Sequence, residues 1–536
     1  MTLLEKKEVK KSSDQKVLVQ EGYKTLFKVN LKPIIPKFPS VVDAIQIDIK
    51  YPLVDPYAFA HIYWDKQNDE LVYQVEEPIL TINEKKVLNV LEDGIKELIN
   101  MSFIGVKEEE LIIEYLEKNT RVLLDELDIK TSNESFLKLM YYIYRDFVGL
   151  NEIEPLMHDY FIEDIECNGG NSPVYIVHRK YKNLRTNITY SNNKVLASFV
   201  EKLAQKCGKY ISYANPILDG RLPDKSRVNA TYTEEISSKG PTFSIRKFTK
   251  EPWTPVHLIA FGTASPDLMA YLWTLIEYES NIMIIGGTGS GKTSLLNALA
   301  FFIPPQARIV SIEDTAELNL VHENWLPSVA RAGFGIATIT GEKHGEVSLF
   351  TLLKESFRQR PDYVIIGEVR GEEASVLFQG MSSGHPSLGT MHAEDVGTMI
   401  RRLETPPISL SPTLVESLDA VVIITGTKVK GKNVRRVREV SEILNVGEEG
   451  SSRLNTTFKW DPMQDMIKFV SRSNVFNKIM AYHGLTSQKL NQEFRNKVLL
   501  LRKMYEQQVF DYAKVQEVIN QYYKNPEKVL KRFGII

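Results

Sequence analysis

Residues 286–293 read Gly-Gly-Thr-Gly-Ser-Gly-Lys-Thr and match the pattern G-x-x-x-x-G-K-[ST] in full. Each residue type has a physical task. The glycines let the backbone turn its N–H groups inward around a β-phosphate. The Lys292 ammonium reaches the β- and γ-phosphates, and the Thr293 hydroxyl ligates Mg²⁺. The flanks fit: "NIMII" reads as a short apolar strand, and "TSLLNALAFF" as a helix that begins at once. The helix N-terminus adds positive potential. Gly286, Gly287, Thr288, Gly289, Ser290, Gly291, Lys292, Thr293 and Ser294 are therefore expected to hold ATP. The spacing is not G-x-G-x-x-G, so a dinucleotide-dependent redox reaction is excluded.

Hydrolysis also needs a positioned water and a second handle on the metal. In an open α/β sheet these stand at the carboxyl ends of strands. "RIVSIEDTAEL" offers Glu313, Asp314 and Glu317, and "PDYVIIGEVRG" offers Glu368. Gly367 occupies the place where an Asp often stands. Glu313 and Glu368 are expected to share water positioning and Mg²⁺ handling, with the division between them open. Asp314 is a further metal candidate, with helix capping as its plainer role. His385 and His392, in "GHPSLGTMHAED", read as polar sensors that contact the nucleotide or as a satisfied structural pair.

Five segments must position these groups. Residues 1–30 are expected to be a flexible polar tail, beginning "MTLLEKKEVKKSSDQK". Residues 31–150 hold short β-like runs ("AFAHIYW", "LVYQVEE") and then three segments at helical spacing, read as a three-helix bundle. Residues 151–255 read as a small α+β domain: a hairpin in "PVYIVHRKYKNLRTNITY", a helix in "NNKVLASFVEKLAQKCGK", then a turn and two strands in "GRLPDKSRVNATY" and "PTFSIRKF". From 256 to 447 strands and helices alternate, which predicts a mostly parallel sheet covered on both faces. Residues 448–536 are expected to be a helical extension.

The bulk composition narrows the class. At 536 residues the chain exceeds one compact core, and its formal charge of −2 lacks the basic excess of a nucleic-acid coat. Cys167 and Cys207 are too few for a four-thiolate zinc site or a disulfide framework, which fits a reducing compartment. No signal-like N-terminus and no apolar run of ~18–20 residues is present, so action at a membrane is expected from the aqueous side.

"GGTGSGKT", "SIEDTAELNL", "RQRPDYVIIGEVRGEEA" and "GHPSLGTMHAE" stand in the order and spacing of the type II/IV secretion ATPases. They resemble that family's Walker A, Asp box, Walker B and His box. "IEPLMHDYFIEDI", "DGRLPDKSRVN" and "FSIRKF" are similar to its preceding domain, and "NWLPSVAR" with "FKWDPMQDMIKF" resembles the archaeal branch of archaellum motors and pilus-assembly ATPases. The tetracysteine insertion of many bacterial members is absent from the sequence. The resemblance implies a RecA-like P-loop NTPase domain behind a small α+β domain. It further implies a homohexamer with nucleotide between the two, and arginines of the earlier domain reaching the phosphates. Arg221, Arg227 and Arg246 are the candidates. The implied activity is ATP hydrolysis that drives assembly or rotation of a pilin-like filament. The implied partner is a polytopic membrane platform protein, met at the cytoplasmic face of the cell membrane, and no nucleic acid is expected. The rivals are a DNA-translocating motor of the same type and a nucleotide-gated scaffold with little turnover.

Overall fold

The computed structural model describes residues 25–31, 44–99, 109–248, 251–331, 333, 344–429, 431–447 and 452–536. The chain divides into two compact units, Met1–Phe248 and Thr249–Ile536.

The first unit is built on a nine-stranded sheet ordered β1-β2-β3-β6-β5-β4-β9-β8-β7. Its strands are β1 (Asp48–Val54), β2 (Ala58–Asp65), β3 (Glu70–Glu76), β4 (Ile162–Cys167), β5 (Pro173–His178), β6 (Lys182–Thr189), β7 (Ile217–Arg221), β8 (Arg227–Thr231) and β9 (Thr242–Arg246). The β5–β6 hairpin and the strands β8 and β9 stand where the sequence pattern puts them, and β7 is a third strand ahead of the expected turn. Residues 31–150 and 151–255, expected as separate regions, share this one sheet, because β3 pairs in parallel with β6 at Val72↔Arg185 and Tyr73↔Thr186. Two to three hydrophobic positions per strand cannot be buried by a three-stranded meander alone. Joining the larger sheet gives β1–β3 a common core with β4–β9, and Ile49, Tyr73, Ile165 and Val228 lie in it. Two buried tyrosines, Tyr51 and Tyr73, each donate to Asp159 Oδ2 at 2.6 Å, so the apolar core encloses one satisfied carboxylate.

Three helices, Ile82–Ile99, Glu109–Glu126 and Asn133–Ile143, follow β3 as the periodicity predicts. Residues 1–24 of the expected tail lie outside the described residues. Residues 25–30 of it are held. Phe27 is buried and stacks on Tyr57, and the Leu26 and Phe27 amides donate to Glu117 at 2.9 and 3.0 Å.

The second unit carries another nine-stranded sheet, ordered β12-β11-β13-β14-β10-β15-β16-β17-β18. The strands are β10 (Ile282–Ile285), β11 (Ile309–Glu313), β12 (Trp325–Val329), β13 (Tyr363–Val369), β14 (Ser387–Met391), β15 (Ala420–Val429), β16 (Lys432–Val446), β17 (Ser452–Asp461) and β18 (Met466–Phe469). Pairing is parallel from β12 to β15 and antiparallel from β15 to β18. Every residue of β10 is buried. Ile282 and Ile284 enter one core and Met283 and Ile285 the other, as a strand covered on both faces requires. Residues 452–469, expected within a helical extension, are instead two strands that continue the sheet. "FKWDPMQDMIKF" alternates residues about an Asp-Pro-Met-Gln-Asp turn, a period-2 signal that the helical reading passed over. The helices that follow, among them Ser487–Glu506 and Tyr512–Lys524, share the core of the helix Pro266–Glu277 through Leu500, Leu501 and Ile519. Among the described residues, no helix is long and apolar enough to cross a membrane.

Candidate functional site

The strand order sets the site. β10 delivers the glycine loop, and β14 separates it from β13, which delivers Glu368. All three end at one edge of the sheet.

The loop runs from Gly286 to Gly291 and enters the helix Lys292–Ala300. Gly289 and Gly291 have φ of 67° and 98°, which side-chain-bearing residues rarely adopt. Gly286 is required for a different reason: a Cβ there would stand 2.2 Å from the Ile424 carbonyl oxygen. At Gly287 and Gly289 a Cβ would meet nothing within 4 Å. The cradle is therefore open where phosphate oxygens must enter, and the donor set fits a polyphosphate. Thr288 is exposed, Ser290 is buried, and Thr293 and Ser294 are half-buried in the first helical turn. Lys292 Nζ donates to the carbonyls of Gly286 and Gly287, both at 3.1 Å. Burial, with the Arg370 charge, pulls the lysine below its ordinary pKa, against the opposite pull of Glu368 and Glu317. An arriving polyphosphate favours the charged form and offers a better partner than two carbonyls.

Glu368 reaches this edge through a β-bulge. Along β13 and β14, Ile366 faces Gly389 while Val369 faces Met391, so β13 carries one extra residue at Gly367–Glu368. Bulges of this kind re-aim a side chain next to a site. Thr390 Oγ1 donates to the Gly367 carbonyl at 2.6 Å and holds it. Gly367 itself is opposite Glu313, and a Cβ there would stand 3.1 Å from Glu313 Cγ. A side chain at this position would crowd Glu313. Burial pushes the Glu368 carboxyl up, but the Arg370 hydrogen bond and charge, with Lys292 and His392, hold it below the ordinary range. Arg370 donates to Glu368 Oε2 at 2.6 Å and lies 3.6 Å from the exposed Asp314.

Glu313 is placed differently. It is 2% exposed, and its Oε1 accepts the backbone amides of Glu317 and Leu318, both at 2.9 Å. The buried Asn297 of the loop's own helix completes the clamp: it donates to Glu317 O at 3.2 Å and accepts from the Asn319 amide at 3.0 Å. Glu313 thus shapes the turn that presents Asp314 and Glu317. Glu313→Gln is expected to weaken charge-assisted bonds and lower stability by about 1–2 kcal/mol, on top of any loss of turnover. Asp314→Asn, at an exposed position beside Arg370, is expected to change both less. Thermal unfolding and phosphate release on the two variants check the order.

The two histidines part company. His392 follows β14 at the loop's edge, and its Nδ1 lies 3.0 Å from the Gly286 carbonyl. His385 precedes β14, at the opposite end of the strand, edge-on against Phe357 at 4.8 Å. As a nucleotide sensor His385 is corrected: β14 is a parallel strand, and its five residues separate the two histidines.

In the first unit, register lines up the three arginines. Arg221 faces Arg227, Arg227 faces Arg246, and Arg246 faces Asp164 across β7, β8, β9 and β4. Arg227 pairs with Asp219 at 3.1 Å and Arg246 with Asp164 at 3.0 Å. Alternate residues on these strands, among them Leu218, Val228 and Ile245, turn the other way into the core.

A family model described as type II/IV secretion system protein matches residues 148–484. The chain belongs to this family. The family is one of secretion-system ATPases. Relatives include the uncharacterized protein MJ0900 of Methanocaldococcus jannaschii, 34% identical over 91% of this chain and 90% of its own length. The conjugal transfer protein TrbB of Rhizobium radiobacter is 32% identical over 42% of this chain and 68% of its own. Among solved structures, the VirB11 ATPase of the Brucella suis type IV secretion system is 23% identical, covering 54% of this chain and 93% of that one, with a TM-score of 0.28. The Legionella pneumophila ATPase DotB is 16% identical, covering 67% and 92%, with a TM-score of 0.38.

Three groups at the secretion-family site escaped the sequence reading. Arg370 had a signal, since it stands two residues after Glu368 in "GEVRG". Arg402, which donates to the His392 carbonyl, had none. Arg435, which reaches the loop from β16, becomes visible only through the β15–β16 register.

Proposed function

We propose that this chain is a Mg²⁺-dependent ATP phosphohydrolase that acts as a homohexamer at the cytoplasmic face of the cell membrane. It drives assembly or rotation of a pilin-like filament through a polytopic platform protein. The observation that carries the reading is the meeting of Lys292, Glu368 and His392 at the edge of one open glycine cradle.

The residues divide the work as follows. The amides of Gly287–Thr293 and the Lys292 ammonium bind and orient the phosphate chain. Mg²⁺, held by Thr293 with Glu368 or Asp314, would neutralise charge developing on the phosphates. Glu368, kept ionised beside Arg370, orients the attacking water. His392, on the Gly286 carbonyl, links the cradle to the end of β14. Arg221, Arg227 and Arg246 supply charge from the first unit.

Glu368→Gln tests the reading. It keeps the shape and removes the charge, so ATP should still bind while turnover falls roughly 10²-fold or more. Isothermal titration and single-turnover phosphate release separate the two effects. Lost binding with surviving chemistry would assign Glu368 another role. Relatives named as conjugal transfer proteins favour a second reading, a motor that moves DNA. Turnover stimulated several-fold by added DNA would select it.

A further inference from the structure

The β15–β16 ribbon outruns the parallel sheet. β10 pairs with β15 only from Ala420 to Ile423, whereas β15 and β16 stay paired out to Val429 and Lys432. The paired residues beyond Ile423 therefore project past the carboxyl edge where the glycine loop lies. Gly286 packs against this overhang at Ile424. Arg435 stands on it, directly across from Gly426.

Arg435 lies along the loop. Its Nε donates to the Gly289 carbonyl at 3.2 Å, and a Cβ on Gly291 would stand 3.0 Å from its Cδ. Among the described residues, its terminal nitrogens have no hydrogen-bond partner. Gly426 leaves the neighbouring space on that face open, since a Cβ there would meet nothing within 4 Å. The next residue shows what a structural arginine looks like on this strand. Arg436 is buried, forks onto both oxygens of Asp465 at 2.8 Å, and donates to the Phe261 carbonyl at 2.9 Å. Strand alternation turns Arg436 into the core and Arg435 toward the loop. A half-buried guanidinium anchored by one nitrogen beside an open phosphate cradle is preorganised to take an anion with the other two.

We propose that Arg435 is a second phosphate-binding cation of the glycine loop, acting beside Lys292 from within the same unit. The inference rests on the reading that the loop binds nucleotide. It differs from the role given to Arg221, Arg227 and Arg246, which depends on the first unit.

The test is calorimetric titration of MgATP and MgADP into the full chain and its variants, with steady-state turnover alongside. Arg435→Gln should weaken both nucleotides roughly tenfold to hundredfold, the scale of a lost charge-assisted hydrogen bond. The contact is made equally before and during reaction, so KM should rise while kcat stays within about threefold. Arg435→Lys, which keeps charge and stem but loses the fork, should fall between. Unchanged affinity in Arg435→Gln beside lost affinity in Lys292→Ala overturns the proposal and leaves the nucleotide reading standing. Normal affinity in both variants would place the nucleotide away from the glycine loop and overturns the reading on which the proposal rests. A fall in kcat at unchanged affinity would assign Arg435 to holding the loop and also overturns the proposal. Should Arg435→Gln fail to fold, Arg435→Lys decides: a threefold or greater weakening supports the contact, and wild-type affinity refutes it.

Discussion

Lys292→Ala should reduce phosphate release by about 10³-fold, the upper scale for removing one preorganised donor from a site of developing charge. The fold should survive. Among the described residues, Lys292 Nζ hydrogen-bonds carbonyls of its own loop, at Gly286 and Gly287, and is half-buried at the edge of the sheet. The backbone turn is set by Gly286, Gly289 and Gly291, none of which the substitution touches. The helix that follows is anchored independently by Leu295, Leu296 and Leu299 in the core. Circular dichroism and the unfolding midpoint should therefore match the parent protein. Turnover within tenfold of the parent, in a variant with an intact spectrum, would remove the loop from the mechanism.

The loop was legible because its chemistry is local. Eight consecutive residues fix the turn, the lysine and the hydroxyl, and the flanking apolar runs fix the strand and the helix. Glu368 was legible as a residue, since it ends an apolar strand, but the bulge that aims it was not. That bulge lies in the pairing of β13 with β14 and shows only in their register. Glu313 shows the opposite case. Its position at the end of β11 reads as catalytic, and only three-dimensional packing turns its carboxylate onto the amides of Glu317 and Leu318. The histidines separate for a simple reason. A parallel strand places its two ends on opposite edges of the sheet, and "HPSLGTMH" spans one whole strand. In the first unit, helices and hairpins followed their periodicity, whereas the union of β3 with β6 rests on two residue pairs with no local signal.

Arg227→Ala should lower turnover by ~10³-fold, the scale of an arginine supplied to a transferring phosphoryl group, while the protein stays folded. The row Arg221, Arg227, Arg246 motivates this. Like charges directly opposed on neighbouring strands destabilise a sheet, so three guanidiniums in register need anions beside them. Asp219 and Asp164 are among them, and Arg227 and Asp219 are both about half exposed, at 46% and 54%. An exposed pair of this kind is worth little and is readily exchanged for a phosphate. Removing the arginine should accordingly leave the unfolding midpoint almost unchanged, because Val228 and Ala230, not Arg227, fill the core beneath β8. Because the arginines belong to the first unit and the loop to the second, catalysis completed by association should also raise specific activity with protein concentration. Sedimentation velocity and phosphate release across a dilution series measure both. Full activity in a monomer at high dilution, or unchanged turnover in the Arg221→Ala, Arg227→Ala double variant, would show that the row serves another anion.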